Sequence, residues 1–441
     1  MANLSYSAEH VADFLDNIGQ VANEDCLTLN IWTKPQTGAD LKPVMVWTYG
    51  GSFDGGGTNT SGYSGQYWSN TEDVVFVTFN YRLGVFGFPG APDLTQNVAM
   101  LDQRLALEWI RDNIEAFGGD PGRITLFGQS AGAGMTDYYT YIWLDDPIIA
   151  GAIMESGSAS GPTGSGSGVG GANLPPSNQT AKWYELSRRV GCGDNTTQSA
   201  QAVIGCMRNS SNVTMEALLA NTPTGAPFHS VFGPTIDDKT VFENYTARVE
   251  AGNLIKKPVL VGNNDDELAV YTVLNLSGSG INIPTSGLPQ AQLKQYNTFL
   301  FGCPSNVQAQ LRWSQKIPVW RYRYFPSFPN IAVPKDNGLA YHGAEIWPMF
   351  GTDQEVGQAA STDIERTVGS YVRSAWATFA RCPESGLSDQ LGWPQYTANP
   401  NATGLVLLGK DAANVAEFGP GGAYDDICAQ LPQLLATGKL G

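Results

Sequence analysis

A serine in a glycine-rich turn is the residue whose surroundings point most directly to chemistry. Ser130 lies in the GxSxG motif Gly128-Gln129-Ser130-Ala131-Gly132, after the β-forming run Ile124–Phe127 and before a helix-compatible stretch. A strand, a sharp turn and a helix in this order expose a serine hydroxyl as a nucleophile elbow does. The chain has 51 glycines in 441 residues, so a GxSxG motif could also occur in it by chance. The hypothesis therefore requires a base, an acid and oxyanion donors elsewhere in the chain.

Histidine is the expected base, because its ordinary pKa of about 6.5 lets it accept and return a proton near neutral pH. The chain has three histidines, His10, His229 and His342. His10 precedes the first core strand and His229 precedes the candidate acids, and both are interpreted as incidental. His342 follows the predicted strand Val319–Tyr324 and comes after Ser130 and the acids, in the order expected for this type of elbow. It is the predicted base.

Three acidic residues follow the short apolar strand within Ile255–Glu267. They are Asp265, Asp266 and Glu267. An orienting carboxylate is expected after a strand downstream of the nucleophile. Composition and spacing do not choose among the three.

A second glycine-rich loop follows the buried strand Val44–Thr48 and reads Tyr49-Gly50-Gly51-Ser52-Phe53. The backbone amides of such a loop can bind a phosphate, but no GK[ST] follows and no GxGxxG opens a helix. The other use of such amides is to stabilise an oxyanion, which the serine downstream favours. The loop is therefore predicted to supply oxyanion donors.

The remaining elements alternate between strands and helices. Cys26–Trp32 alternates as a strand does, and Asp73–Leu83 is a continuous apolar strand with its exit turn. The predicted helices are Asn97–Phe117, Lys182–Val190 and Tyr371–Arg381. For the first helix we predict a sheet-covering face made of Met100, Leu101, Leu105, Trp109 and Ile110. Such alternation indicates an α/β fold with a mainly parallel sheet.

Composition limits the functional classes. The net charge is −16, and no basic cluster occurs, which argues against nucleic acid and anionic membrane surfaces as partners. No apolar run reaches the roughly 20 residues that a spanning helix needs, so no transmembrane segment is predicted. Length alone suggests about three domains, but no linker separates independent units.

Cysteines and glycosylation sequons bear on the compartment. Nine Asn-x-Ser/Thr sequons favour a secreted glycoprotein; they begin at Asn3, Asn59, Asn178, Asn195, Asn209, Asn212, Asn244, Asn275 and Asn401. Six widely spaced cysteines without a CxxC motif favour disulfides or buried thiols over metal or redox sites. The first residues lack the basic and apolar regions of a signal peptide, and none is predicted in this chain.

Several longer blocks resemble a known family. EDCLTLNIW, PVMVWTYGGSF, FNYRLGVFGF, LDQRLALEWIRDNIEAFGGDPGRITLFGQSAGA and IMESGSA occur in this order over residues 24–160. They resemble the signature blocks of the type-B carboxylesterase/lipase family, the cholinesterase-like branch of the α/β hydrolases. The resemblance implies the α/β-hydrolase fold, with a large, mainly parallel central sheet covered by helices on both faces. It also implies a serine carboxylic ester hydrolase, carboxylesterase or lipase-like, that needs no metal or cofactor.

The resemblance also assigns roles residue by residue. Ser130 corresponds to the nucleophile, Glu267 to the acid of the family's GxNxDEG pattern and His342 to the base. The backbone amides of Gly51, Ser52 and Ala131 correspond to the oxyanion hole. Leu268 and Ser52 stand where the family usually has glycine. The resemblance further implies a Cys192–Cys206 disulfide, whereas pairing among Cys303, Cys382 and Cys428 stays open.

The start of the chain departs from the family pattern. Residues 1–23 form an atypical N-terminal segment in place of the usual longer one, and residues 24–441 form the predicted catalytic domain. Cys26 is thereby expected to lack its usual partner. The expected substrate is a small-molecule or lipid ester, with no nucleic acid partner, and the resemblance places the family-type protein in the secretory pathway.

Two classes of alternative remain. The chain could be a catalytically silent cholinesterase-like relative or an inactive truncated product, or the same triad could act on thioesters or amides. Neither the choice between esterase and lipase, nor the acyl and alcohol specificity, nor the oligomeric state follows from the sequence.

Overall fold

The computed structural model describes residues 22–159, 167–168, 171–172, 176–209, 211–222, 232–273, 289–333, 338–411 and 414–430. His10 and His229 lie outside these ranges. So does part of the Gly-, Ser- and Pro-rich stretch 156–180, whose composition predicts a surface excursion. Ser130, Glu267, His342, Gly51, Ser52 and Ala131 all lie within them.

The described strands form one large sheet and one small hairpin. In chain order they are β1 Leu29–Trp32, β2 Lys42–Thr48, β3 Val75–Phe79, β4 Gly119–Gln129, β5 Gly151–Glu155, β6 Ser167–Gly168, β7 Gly171–Ala172, β8 Val259–Asn264, β9 Val319–Tyr324, β10 Leu405–Asp411 and β11 Asn414–Gly419. The nine-stranded sheet has the order β1-β3-β2-β4-β5-β8-β9-β10-β11, and β6 pairs with β7. Only the edge strands β1 and β11 of the large sheet run antiparallel to their described neighbours.

The helices connect these strands and pack on the sheet. They are α1 Gln66–Glu72, α2 Gly84–Gly87, α3 Val98–Asn113, α4 Ala131–Ile142, α5 Pro176–Arg189, α6 Ala200–Met207, α7 Met215–Asn221, α8 Tyr245–Glu250, α9 Leu268–Val273, α10 Gln290–Asn297, α11 Cys303–Ser314, α12 Ile346–Phe350, α13 Asp353–Gly357, α14 Asp363–Arg381, α15 Gly386–Leu391 and α16 Gly422–Asp425. The 3₁₀ turns are Ser61–Tyr63, Ile114–Phe117 and Asp426–Gln430, and Thr298–Gly302 is a π turn. None of the described helices combines the length and the apolar character needed to cross a bilayer.

The central strands are buried because both of their faces are covered. Every residue of β2, β3, β5, β8 and β9 is buried. Side chains of a strand point alternately to its two faces, so a strand between two helical layers needs apolar residues at successive positions. The α/β architecture predicted from the sequence is therefore confirmed.

Helix α3 buries only part of the face predicted for it. Leu105 and Trp109 are 58% and 40% exposed, whereas Met100, Leu107 and Ile110 are buried against the sheet. The buried positions 100, 107 and 110 follow the helical repeat, with the polar Gln103 between them also buried. Gln103 donates its amide to Thr48 Oγ1 at 3.2 Å, so a polar residue occupies the core-facing stripe.

Helix α14 begins eight residues before the predicted helix Tyr371–Arg381, at Asp363. Thr362 caps it by accepting a hydrogen bond from Glu365 N–H, and the Glu365 carboxylate accepts one from Thr362 N–H. This capping box is encoded in Thr362-Asp363-Ile364-Glu365. The apolar periodicity becomes clear only after the charged first turns, which is why the prediction began late.

Two disulfides close loops of different lengths. The Cys192–Cys206 bridge, which the resemblance implied, spans 14 positions. A second bridge joins Cys303 to Cys428 across 125 positions, which resolves the pairing that the sequence left open. Among the described residues Cys26 and Cys382 are free thiols.

We predict that the longer bridge contributes more to stability. In the chain-entropy model, a bridge closing a loop of about 15 residues stabilises by about 3 kcal/mol and one closing about 100 residues by about 4.7 kcal/mol. The double substitution Cys303→Ser/Cys428→Ser should therefore lower the free energy of unfolding more than Cys192→Ser/Cys206→Ser does. Urea denaturation of the two variants beside the wild type checks this ranking, and a reversed ranking would contradict it.

Candidate active site

Ser130 lies between β4 and α4 in a strained backbone conformation. Its φ and ψ angles are 57° and −123°, and the helix begins at the next residue, Ala131. Ser130 N–H donates to Glu155 O at 2.8 Å, and Gly134 N–H donates to Ser130 O at 2.9 Å. A non-glycine residue keeps such a conformation only where its surroundings fix it, as they do at a nucleophile elbow.

Glycines allow other segments to approach this turn closely. A Cβ on Gly132 would lie 2.0 Å from Thr48 O, and a Cβ on Gly157 would lie 2.1 Å from Ser130 O. Both distances are far below van der Waals contact. The second glycine of GxSxG and the glycine that follows β5 by two residues are therefore required by packing.

The loop after β2 lies directly against the serine. A Cβ on Gly50 would lie 2.9 Å from Ser130 Cβ. The loop is tightly turned, because Asp54 and Gly55 N–H donate to Gly51 O at 3.1 and 2.9 Å. Gly51 has φ 113°, and Ser52 adopts φ 55° although it is not glycine.

The amides predicted as oxyanion donors thus come from two segments that meet. Gly51 and Ser52 belong to the turn packed on Ser130, and Ala131 is the first residue of α4. The first amides of a helix have no carbonyl partner within that helix. They are therefore suited to binding negative charge, which the helix dipole also favours.

His342 and Glu267 meet at the same sheet edge. His342 Nδ1 lies 2.6 Å from Glu267 Oε2, and His342 N–H donates to Glu267 O at 3.2 Å. The exposed fractions are 8% for His342 and 0% for Glu267. A carboxylate at this distance holds the proton of the neutral ring on Nδ1 and leaves the lone pair on Nε2. The ring can therefore accept a proton at Nε2.

The three candidate acids have different surroundings. Glu267 is the one whose carboxylate meets His342 Nδ1. Asp265 forms a buried ion pair with Arg323, at 2.7 Å from Nε to Oδ1, and Asn297 donates its amide to Asp265 O at 2.7 Å. Asp265 is therefore a buried anchor of the turn that carries Glu267.

Two residues of the site were not predicted from the sequence. Asn264 N–H donates to Glu267 Oε1 at 2.6 Å, and its side-chain amide donates to Tyr341 O at 2.7 Å, which links the acid to the histidine loop. Gln129 Nε2 lies 3.2 Å from His342 Nε2, across 213 positions of sequence. Both residues stand inside motifs that the sequence analysis identified. Their contacts depend on how distant strands pack, so no local signal reveals them.

The site is bordered by apolar groups. The Phe301 ring centroid lies 5.1 Å from that of His342, and Phe53 and Ile346 are buried nearby. Among the described residues, no group of three or more His, Cys, Asp or Glu side chains is arranged to hold a metal ion. The arrangement combines a strained serine, a buried histidine–glutamate pair and the first amides of a helix, which suits nucleophilic acyl transfer.

Comparisons with known proteins agree with this chemistry. The family model described as "Carboxylesterase family" matches residues 4–286. "Secreted lipase 5" of Gibberella zeae is 33% identical over 421 residues, which cover 89% of this chain and 74% of that protein. "Chlorogenic acid esterase" of Aspergillus niger is 32% identical over 92% of this chain and 77% of that protein. "Acetylcholinesterase" of Bungarus fasciatus is 32% identical over 86% of this chain and 67% of that protein.

We predict that Gly157 cannot carry a side chain. Because its Cβ would collide with Ser130 O, Gly157→Ala should lower the free energy of unfolding by about 1–3 kcal/mol, the usual cost of overpacking. The matched control is Gly205→Ala in α6, where an added Cβ meets nothing within 4 Å. An alanine in a helix should there stabilise by about 0.5–1 kcal/mol. Equal effects of the two substitutions in urea denaturation would contradict the argument.

Proposed function

The chain belongs to the carboxylesterase family and is a carboxylic ester hydrolase, and from this premise we propose that it cleaves esters through Ser130, His342 and Glu267. The observation that carries the proposal is the 2.6 Å contact between His342 Nδ1 and Glu267 Oε2 at the sheet edge where the Ser130 turn lies. The alternative of a catalytically silent relative is not favoured, because the similar proteins are named as a lipase, an esterase and a cholinesterase.

The proposed reaction has two steps with one covalent intermediate. Ser130 Oγ attacks the acyl carbon while His342 Nε2 takes the hydroxyl proton, and the imidazolium then protonates the departing alcohol. Water attacks the acyl-enzyme with His342 as base and releases the acid and free Ser130. Glu267 holds the imidazole in the tautomer that leaves Nε2 available and stabilises the imidazolium.

The oxyanion of each tetrahedral intermediate would be held by backbone amides. We assign this role to Gly51, Ser52 and Ala131, because the tight loop after β2 packs on Ser130 and Ala131 begins α4. Amides fixed by a folded loop and a helix end need no reorganisation when charge develops. Losing one such donor typically raises the barrier by about 3–4 kcal/mol.

Gln129 bears on the proton transfer. Its amide Nε2 lies against the ring nitrogen that must accept the serine proton. The two groups lie within hydrogen-bond distance, so the Gln129 side chain helps to position the imidazole. A side-chain amide can present either its nitrogen or its oxygen to the ring, and the oxygen accepts from the imidazolium that forms when Ser130 attacks.

The substrate proposed is a neutral or moderately apolar carboxylic ester. The net charge of −16 disfavours anionic substrates at long range. Phe301 and Phe53 border the site with apolar surface. The similar proteins carry three different substrate names, so the acyl and alcohol groups need a direct measurement.

We also propose passage through the secretory pathway. A relative named as secreted, two disulfides and exposed sequons support this. The asparagines of all sequons whose side chains the structure describes are exposed; they are Asn59, Asn195, Asn209, Asn212, Asn244 and Asn401. Disulfides persist in oxidising compartments, where such sequons are also modified.

We predict that a fluorophosphonate probe labels the wild-type protein and fails to label Ser130→Ala. The reason is that the probe reacts only with a serine activated by a base and an oxyanion site. Intact-mass spectrometry after a short incubation measures the label, and hydrolysis of nitrophenyl esters of increasing acyl length runs in parallel. A folded wild-type protein that stays unlabelled and leaves these esters intact would overturn the proposed function.

The acid is tested by comparing neighbouring carboxylates. Glu267→Gln should lower kcat by about 10⁴-fold, as in other triads whose acid becomes an amide that favours the wrong imidazole tautomer. Asp266→Asn is the matched control, one residue away, and should retain kcat within about threefold, which corresponds to less than 1 kcal/mol in the barrier. Equal losses in both variants would show that Glu267 has no special role.

A further inference from the structure

Two buried acids lie behind the proposed triad and have no role in the proposed mechanism. Glu155 is the last residue of β5, and Glu345 comes three positions after His342. Their exposed fractions are 0% and 1%, and Glu267 is also fully buried. Three carboxyl groups therefore share one interior region at the carboxyl edge of the sheet. Placing three negative charges there without cations would be strongly unfavourable.

Glu345 is connected to Glu267 through one asparagine. The Asn264 side-chain amide donates to Glu345 Oε2 and to Tyr341 O, while Asn264 N–H donates to Glu267 Oε1 at 2.6 Å. Glu345 thus helps to orient the amide that joins the loop of the acid to the loop of His342. A substitution of Glu345 would therefore affect Glu267 and His342 indirectly, by changing the orientation of Asn264.

Glu155 is connected to the serine and to helix α14. Its backbone carbonyl accepts from Ser130 N–H at 2.8 Å. Its carboxylate Oε1 accepts from Trp376 Nε1 at 2.8 Å. Trp376 packs on Tyr322, with ring centroids 5.0 Å apart, so the carboxylate lies among aromatic side chains.

Each of these two acids has an oxygen without a partner. Within the described ranges, Glu155 Oε2 and Glu345 Oε1 accept no hydrogen bond, and neither carboxylate forms an ion pair with a lysine or arginine. The hydroxyls of Tyr322 and Tyr324 also lack a partner in the described structure. An ionised carboxylate needs donors at both oxygens, whereas a protonated acid supplies an O–H that can itself donate to a neighbouring oxygen.

We propose that these three carboxyl groups together carry a single negative charge, located on Glu267, and that Glu345 and Glu155 are neutral acids. Glu345 is then a positioning residue that orients Asn264 while leaving Glu267 as the one anion beside His342. The proposal rests on the roles proposed for Glu267 and His342.

The electrostatic surroundings support the neutral forms. Burial, and then the charge of Glu267, raises the pKa of Glu345 to about 8. Burial holds the pKa of Glu155 well above its usual range, and a charge on Glu345 would raise it further. The tyrosines Tyr63, Tyr322 and Tyr324 also face the two acids, and burial raises the pKa of each tyrosine above its usual value. His342 contacts Glu267. Of these, only a protonated His342 would bring a positive charge.

Stability should therefore fall as pH rises. Above the ordinary Glu pKa of 4.5 the unfolded chain releases the proton, whereas folded Glu345 keeps it until about pH 8. The folded state binds more protons in this window, so the free energy of unfolding decreases across it as pH rises. Glu345→Gln cannot ionise, and its thermal midpoint should depend less on pH over the same window.

The activity test uses glutamine as a mimic of the neutral acid. Glu345→Gln should keep kcat/KM within about threefold of the wild type, whereas Glu345→Ala removes the acceptor of Asn264 and should lower kcat about tenfold, the effect of losing a hydrogen bond of about 1.4 kcal/mol. The acid limb of the kcat/KM profile should keep its midpoint in Glu345→Gln. Removing a true anion near His342 would instead lower that midpoint.

The control is Glu365→Gln, because Glu365 is another buried acid, whose pKa is raised to about 7 by burial and by Asp353. It caps α14, and glutamine can also fill this capping position. Its replacement should flatten the pH dependence of stability without changing the kcat/KM profile. Glu155→Gln should behave like Glu345→Gln in both measurements.

Infrared difference spectroscopy tests whether Glu345 and Glu155 are protonated, and it needs no activity measurement. The wild type at neutral pH should show the carbonyl stretch of a buried protonated carboxyl, and the band should weaken in Glu345→Gln and in Glu155→Gln. If the band does not weaken in Glu345→Gln and Glu155→Gln, or if Glu345→Gln loses as much activity as Glu345→Ala, the proposal is overturned. If the protein hydrolyses no ester, the proposed function fails, while the infrared and thermal measurements still test the charge state. If Glu345→Ala does not fold, the infrared and thermal measurements on the glutamine variants still test the charge state.

Discussion

The buried contact between the His342 imidazole and the Glu267 carboxylate is the interaction on which the rest of the site depends. The two residues are 75 positions apart, and each lies in a loop rather than in a strand or helix. Their distance is set by what holds the loops. Asn264 donates to both loops from the end of β8, and the ion pair between Asp265 and Arg323 fixes the start of the acid loop against β9. The parallel sheet brings these strand ends to one edge.

Burial strengthens this contact and also disfavours further charged groups around it. A carboxylate with no exposed surface interacts strongly with the ring beside it, because little water screens the pair. The same lack of water disfavours every additional charge nearby. Glu345 and Glu155 lie in that environment, which is why their charge state matters to the proposed chemistry although neither contacts the imidazole in the described hydrogen-bond network.

Strain and close approach fix the serine. Ser130 and Ser52 both adopt positive φ without being glycine, so each must be held by neighbours. Those neighbours reach the turn only because Gly50, Gly132 and Gly157 have no side chains. The high glycine content, which makes a GxSxG motif unspecific by itself, therefore has a structural cause around this turn.

The sequence by itself determined the α/β class, the buried strands, the glycine loop and the residues proposed as nucleophile and base, because strand periodicity and motif chemistry are local properties. The choice of Glu267 among three neighbouring acids came from the resemblance to the family's pattern. It did not determine which face of α3 is buried, since Gln103 takes a core position through a hydrogen bond to Thr48 on β2. Nor did it pair Cys303 with Cys428, place Gln129 against His342, or gather Glu155, Glu267 and Glu345 in one interior region. Only the tertiary structure decided these contacts. They join segments tens to hundreds of positions apart, and their distances follow from strand order and register, which no local pattern encodes.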